Sequence, residues 1–160
     1  MRYVYAVVML VCSVIAFFYA MLMLYKKNYK KITYCMLILV SVASGVWSLG
    51  YGGMFITNDA NVFSKFRMVG ISGIMLFMLF GQIIIGILVG YLDKLKRLIA
   101  VESLLGIIVM LVIINPSSYS IKMTETGIVT EFTSTFVSLF YTLYCVGIAA
   151  VFVVVSVDMA

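Results

Sequence analysis

The residues of this chain that could do chemistry are a few polar side chains set into long apolar stretches. Arg67 opens one such stretch, two residues after Lys65. Gln82 lies deep inside the same stretch, and Glu102 lies about one turn inside the next. A cation at the edge of a membrane span either anchors a helix at the headgroups or lends positive charge to a pocket. For Arg67 the second reading would place Glu125 or Glu131 of a later loop beside it. An unpaired amide in hydrocarbon costs on the order of 2–7 kcal/mol. Gln82 must therefore face another helix, as a structural hydrogen bond or as a polar spot in a cavity. Glu102 is shallow enough to snorkel toward Lys26, Lys27, Lys30 or Lys31.

Trp47 and Tyr51 stand four residues apart near the end of the second stretch. They read as an interfacial anchor or as one wall of a ligand pocket. Phe132, Phe136, Phe140 and Tyr144 recur at four-residue steps and read as a packing ridge. Nothing here forms a nucleophile–base pair, and the chain has no histidine. Cys12, Cys35 and Cys145 are odd in number and lack metal-ligand spacing. They read as small apolar packing residues, so no catalytic, cofactor or metal site is expected.

The elements that must position these residues are helices in a bilayer. The chain is 65% hydrophobic and 11% charged, against about 25% charged in a soluble domain. A run of roughly 20 apolar residues spans a hydrocarbon core about 30 Å thick. The expected class is all-α: a polytopic transmembrane bundle of five spans at about 4–24, 33–56, 67–92, 98–114 and 135–157. The runs are too long and too solidly apolar for barrel strands. Val4–Leu24 reads as a retained helix, because lysines follow it where a signal peptide would have a small-residue cleavage site.

The net charge of +5 comes from basic residues at the span ends. It reflects topology and anionic headgroups, with no nucleic-acid partner implied. Segments 26–31 and 93–97 hold seven of the 11 Lys and Arg; Arg2, Lys65, Arg67 and Lys122 are the rest. The positive-inside rule then puts the N-terminus outside and the C-terminus in the cytoplasm. The outer segment 115–134 carries Tyr119, Ile121 and Met123 in alternation before Gly127. That suits either a small hairpin or an irregular loop. In the second span Ser41, Gly45, Ser48 and Gly52 lie on helical faces, and the third ends in Gly86-x-x-x-Gly90. Such residues let helices approach closely, within one bundle or across a dimer face.

Two stretches carry a resemblance. Ala43-Ser44-Gly45-Val46-Trp47-Ser48-Leu49-Gly50-Tyr51-Gly52 is followed by a short polar loop and Phe63-Ser64-Lys65-Phe66-Arg67-Met68-Val69-Gly70-Ile71-Ser72-Gly73. Together with Asn115-Pro116 after the fourth span, they resemble the N-terminal seven-transmembrane region of bacterial membrane histidine kinases and GGDEF-type diguanylate cyclases. The resemblance implies a sensory input region that is itself non-catalytic, in the bacterial cytoplasmic membrane. It also implies two further helices and a cytoplasmic output domain beyond Ala160, a homodimer, and a small-molecule or membrane stimulus. Trp47, Tyr51, Arg67 and Gln82 are the candidate sensing residues. The other readings are a fragment of a small-molecule transporter or permease, with Gln82 on the substrate path, and a membrane accessory protein.

Overall fold

The computed structural model describes residues 2–25, 31–88, 90, 92–115, 117, 119–124, 127–135, 138, 139, 141, 142 and 144–148, with backbone alone at 92–95, 123–124 and 127–130. Four helices, α1 (Arg2–Tyr25), α2 (Ile32–Ile56), α3 (Ala60–Leu88) and α4 (Leu92–Ile114), lead into a hairpin of β1 (Tyr119–Thr124) and β2 (Gly127–Phe132). All four helices are long and apolar enough to cross a membrane. Of the fifth expected span, the described residues between 135 and 148 are helical, whereas 149–157 lie outside the described residues.

On α1, Val4, Val11, Val14, Phe18 and Met21 are all more than half exposed, an apolar face suited to acyl chains or to another membrane helix. The buried residues of α1 are Ala6, Ser13 and Ala20. Steps of seven keep them on one face, and their small size lets α2 approach. Ser13 donates a 2.9 Å hydrogen bond to the Gly45 carbonyl across that seam.

The central helix is α2, packed on α1 on one side and on α3 on the other. Two pairs of glycines make this geometry, on opposite faces. A Cβ at Gly45 would lie 2.9 Å from the Phe17 ring, and one at Gly52 would lie 3.0 Å from Leu10, both on α1. A Cβ at Gly50 would collide with the backbone of Gly70, and one at Gly53 with the ring of Phe66, both on α3. Ser48 is buried. Ser41 instead donates to the carbonyl of Leu37, four residues back in its own helix, and makes no interhelical bond through this hydroxyl.

The third span differs from expectation at both ends. It begins at Ala60 and stops at Leu88, whereas the apolar pattern predicts 67–92. At its start, Asp59 Oδ1 accepts from the backbone N–H groups of Asn61 (2.7 Å) and Val62 (3.3 Å), an N-cap. Phe63 is buried one turn later, so the helix runs through the charges at 65 and 67. At its end, Gly90 adopts φ +72°, the left-handed conformation that terminates helices. A Cβ there would touch nothing within 4 Å. Gly90 is thus a stop signal, and the expected Gly86–Gly90 packing pair does not form, although Gly86 is buried. At 29 residues, α3 is about 43 Å long.

The loop before the fifth span does form a hairpin, antiparallel, with Tyr119 opposite Phe132 and Thr124 opposite Gly127. Packed against a core of Met75, Val109 and Ile113 are Phe132, Tyr141 and Tyr144. Of the four-step aromatic ridge, Phe132 and Tyr144 pack on this core; Phe136 and Phe140 lie outside the described residues.

Candidate functional site

The caps and carbonyls at one end of the bundle gather its polar groups. The start of α1, the end of α2, the start of α3, the end of α4 and the hairpin meet there. Arg2 donates to the carbonyls of Phe55 and Thr57 and to Asn58 Oδ1. The last carbonyls of a helix have no intrahelical partner and carry partial negative charge. The Arg2 guanidinium therefore closes the C-terminus of α2.

Arg67 does the same for α4, but from inside. Once Asp59 fixes where α3 starts, Ser64, Arg67 and Ile71 fall on one face at steps of three and four. Arg67 is 5% exposed. Its Nη1 donates a 3.1 Å hydrogen bond to the carbonyl of Ile113, in the last turn of α4. Its guanidinium carbon lies 3.7 Å from the centroid of the Tyr119 ring. The Tyr119 hydroxyl in turn bonds Ser64 at 2.7 Å, which fixes the ring over the cation. The phenols of Tyr51 and Tyr141 are within electrostatic reach of the guanidinium.

No carboxylate faces Arg67 among the described residues. Glu131 pairs with Lys122 across the hairpin at 2.5 Å, and Glu125 lies outside the described residues. Helix-dipole contacts supply about 0.3–2 kcal/mol and a cation–π contact about 0.5–2 kcal/mol. Burying a charge costs several kcal/mol. Among the described residues, therefore, the cation at this site is neutralised only in part. Arg67 also lines a cavity of about 230 Å³, together with Tyr51, Met54, Ile71, Phe132 and Tyr141.

Of the four candidate sensing residues, Tyr51 and Arg67 meet in this cavity. Trp47 sits behind it, edge-on to Tyr51 at 6.1 Å between ring centroids and tilted against Phe77 at 5.9 Å. Its indole N–H is buried and finds no partner. Gln82 is elsewhere, about 22 Å further along α3. Tyr119 and Phe132, which complete the site, escape sequence reasoning because nothing local ties the hairpin to α3.

Gln82 belongs to a second polar spot. It is buried beside Glu102 of α4, with the two side chains within hydrogen-bonding reach of each other, although among the described residues neither Gln82 Nε2 nor Glu102 Oε2 has a partner in good hydrogen-bond geometry. A cavity of about 290 Å³, lined by Glu102, apolar residues of α4, Tyr144 and Gly147, adjoins Glu102. Glu102, expected from the sequence to snorkel toward the lysines of segment 26–31, is buried. The side chain is turned into the α3–α4 seam; Lys31 is exposed, and Lys26, Lys27 and Lys30 lie outside the described residues. The cysteines also depart from expectation: Cys12, Cys35 and Cys145 are exposed and free, on the surface of the bundle instead of inside it.

No family model matches the chain, and no curated protein or solved structure does either.

Proposed function

We propose that this chain is the membrane-embedded sensory input region of a bacterial signal-transduction protein of the histidine kinase or diguanylate cyclase type. It resides in the cytoplasmic membrane and carries out no catalysis itself. The observation that carries the reading is the partly neutralised Arg67 on the wall of a cavity where α2, α3, α4 and the hairpin meet. A stimulus bound there touches several elements at once. That is what biasing two alternative helix packings requires, provided the packings differ in affinity for it. In the sequence, the lysine-dense segments 26–31 and 93–97 fall between α1 and α2 and at the start of α4. The positive-inside rule then turns the cavity outward and directs the chain toward a cytoplasmic output domain, which would work as a homodimer.

The test is the natural reading frame around this region. It is expected to encode two further spans and a kinase or cyclase domain, whose output changes when Arg67 is replaced by Gln. A frame that continues into a second transporter-like half would refute the reading. The buried Gln82–Glu102 pair and its adjoining cavity favour a second reading, a small-molecule transporter or permease fragment. It predicts substrate flux in vesicles that Gln82→Leu abolishes.

A further inference from the structure

We propose that the cavity beside Arg67 binds a singly charged anion carried on a compact aromatic or apolar body, with the guanidinium holding the charge. This deepens the sensory reading by naming the stimulus class, and it rests on that reading only for the claim that occupancy alters an output.

The argument is one of donors, charge and size. A guanidinium has five N–H donors and cannot be deprotonated in a protein. Here one donor is spent on the Ile113 carbonyl and one face on Tyr119. The side chain is 5% exposed, so bulk water does not complete the shell, and the cavity is the space it borders. A buried charge of this kind is ordinarily paired. An arginine presents parallel N–H groups that match a carboxylate or phosphate edge.

Charge sets the valence. Arg2 is committed to the end of α2 and Lys122 to Glu131. Lys65 is exposed and does not line the cavity, so among the described residues Arg67 is the cation that does, which suits a monoanion and not a polyphosphate. A cationic amine would be repelled. Size sets the body. An engineered apolar cavity of about 150 Å³ holds benzene; the 230 Å³ here admits a ring with a short acidic arm. Tyr51, Phe132 and Tyr141 supply the aromatic walls, with Met54 and Ile71 beside them. Two sources carry such an anionic group, a free organic carboxylate and the phosphate of a lipid headgroup, and the chemistry at Arg67 is the same for both.

The chain carries its own reporter. Trp47 is its single tryptophan and packs edge-on to Tyr51. The full chain in phosphatidylcholine nanodiscs is titrated with phenylacetate, phenylacetamide and phenethylamine while Trp47 fluorescence is read. Saturable binding of phenylacetate is expected, weaker by about tenfold or more for the neutral amide and absent for the amine. Arg67→Gln should bring phenylacetate down to the level of the amide, and Arg67→Lys should retain part of the preference. Phosphatidylglycerol built into the nanodisc will compete if the natural source is a headgroup; unchanged phenylacetate affinity assigns the site to soluble anions. Equal affinity for phenylacetate and phenylacetamide, or saturation by neither at millimolar concentration, overturns the proposal with the native chain alone, whatever the variants do. Anion binding that leaves the output of the complete protein unmoved would sink the sensory reading and leave the binding site standing. An output that responds to stimuli with no preference for anions would do the opposite.

Discussion

Two glycines of one helix should respond in opposite directions to the same added methyl group. In a bilayer, helices gain no hydrophobic drive from touching each other, so association depends on close packing of backbones and small side chains. The α2–α3 seam has this character. A Cβ at Gly73 would lie well under 3.0 Å from the backbone N and Cα of Trp47, atoms that cannot swing aside as a side chain would. Restoring ordinary contact requires the helices to part by on the order of 1 Å. A gap of that size forfeits a quarter to a half of each contact's attraction, and overpacking of this kind costs about 1–3 kcal/mol. Eight residues on, a Cβ at Gly81 would meet nothing within 4 Å. There the methyl acts only through helix propensity, a gain of about 0.8–1 kcal/mol over glycine. Gly73→Ala and Gly81→Ala should therefore differ by about 2–4 kcal/mol in reversible unfolding by denaturing detergent in mixed micelles. The sites are about 12 Å apart along the helix, so the double variant should show the sum of the two effects. Equal stability of the two single variants within about 0.5 kcal/mol would refute the claim that backbone proximity holds α2 to α3.

Arg2→Gln should destabilise the bundle by about 1–2 kcal/mol, because it removes the cation that closes the α2 C-terminus. Hydrogen exchange at residues 55–59 should accelerate; unchanged exchange would show that the three bonds contribute nothing. Glu102→Gln should be neutral or stabilise by up to about 2 kcal/mol, since it removes a carboxylate that is buried in the α3–α4 seam with one oxygen unpartnered. Glu102→Lys should instead impair membrane insertion. A loss of 1 kcal/mol or more in the Gln variant would mean that the carboxylate has a partner the fold does not show.

Most of the architecture was legible because hydropathy reports which segments prefer lipid. It reports less about where a helix backbone starts and stops. The apolar pattern halts at Lys65 and Arg67, whereas α3 runs back to Ala60 because Asp59 caps it and Phe63 is buried. That signal was present in the sequence as an Asp ahead of an apolar-periodic stretch, but the two charges outweighed it. At the other end a glycine read as a packing residue proved to be a left-handed stop, a distinction set by φ and not by residue type. Small residues on α2 were visible as a class. Their division into a pair facing α1 (Gly45, Gly52) and a pair facing α3 (Gly50, Gly53) was not, because α2 has two neighbours and the sequence does not say which face meets which. Arg67 and Tyr51 were legible as candidates. Tyr119, Ile113 and Phe132 were not, since their meeting with Arg67 depends on how α4 and the hairpin return to α3.

The same side chain that would hold an anion also holds the hairpin in place, and this links site to architecture. A two-stranded hairpin is marginal on its own. Here it is fastened by Tyr119, stacked on Arg67 and bonded to Ser64, and by Phe132, which contacts the Tyr141 ring at 6.0 Å between centroids. An anion that takes the free edges of the guanidinium leaves the Tyr119 face untouched and offsets the cost of the buried charge. An anion that displaces the Ile113 carbonyl frees the last turn of α4 from α3. Either way, occupancy is felt by the hairpin or by the end of α4 before it is felt elsewhere. Coupling energies between sites are typically about 1–3 kcal/mol, comparable to the single charge-assisted hydrogen bond from Arg67 to α4. One bond exchanged at Arg67 is thus enough, in magnitude, to shift the balance between two packings of α4 on α3, a lighter seam than that between α2 and α3.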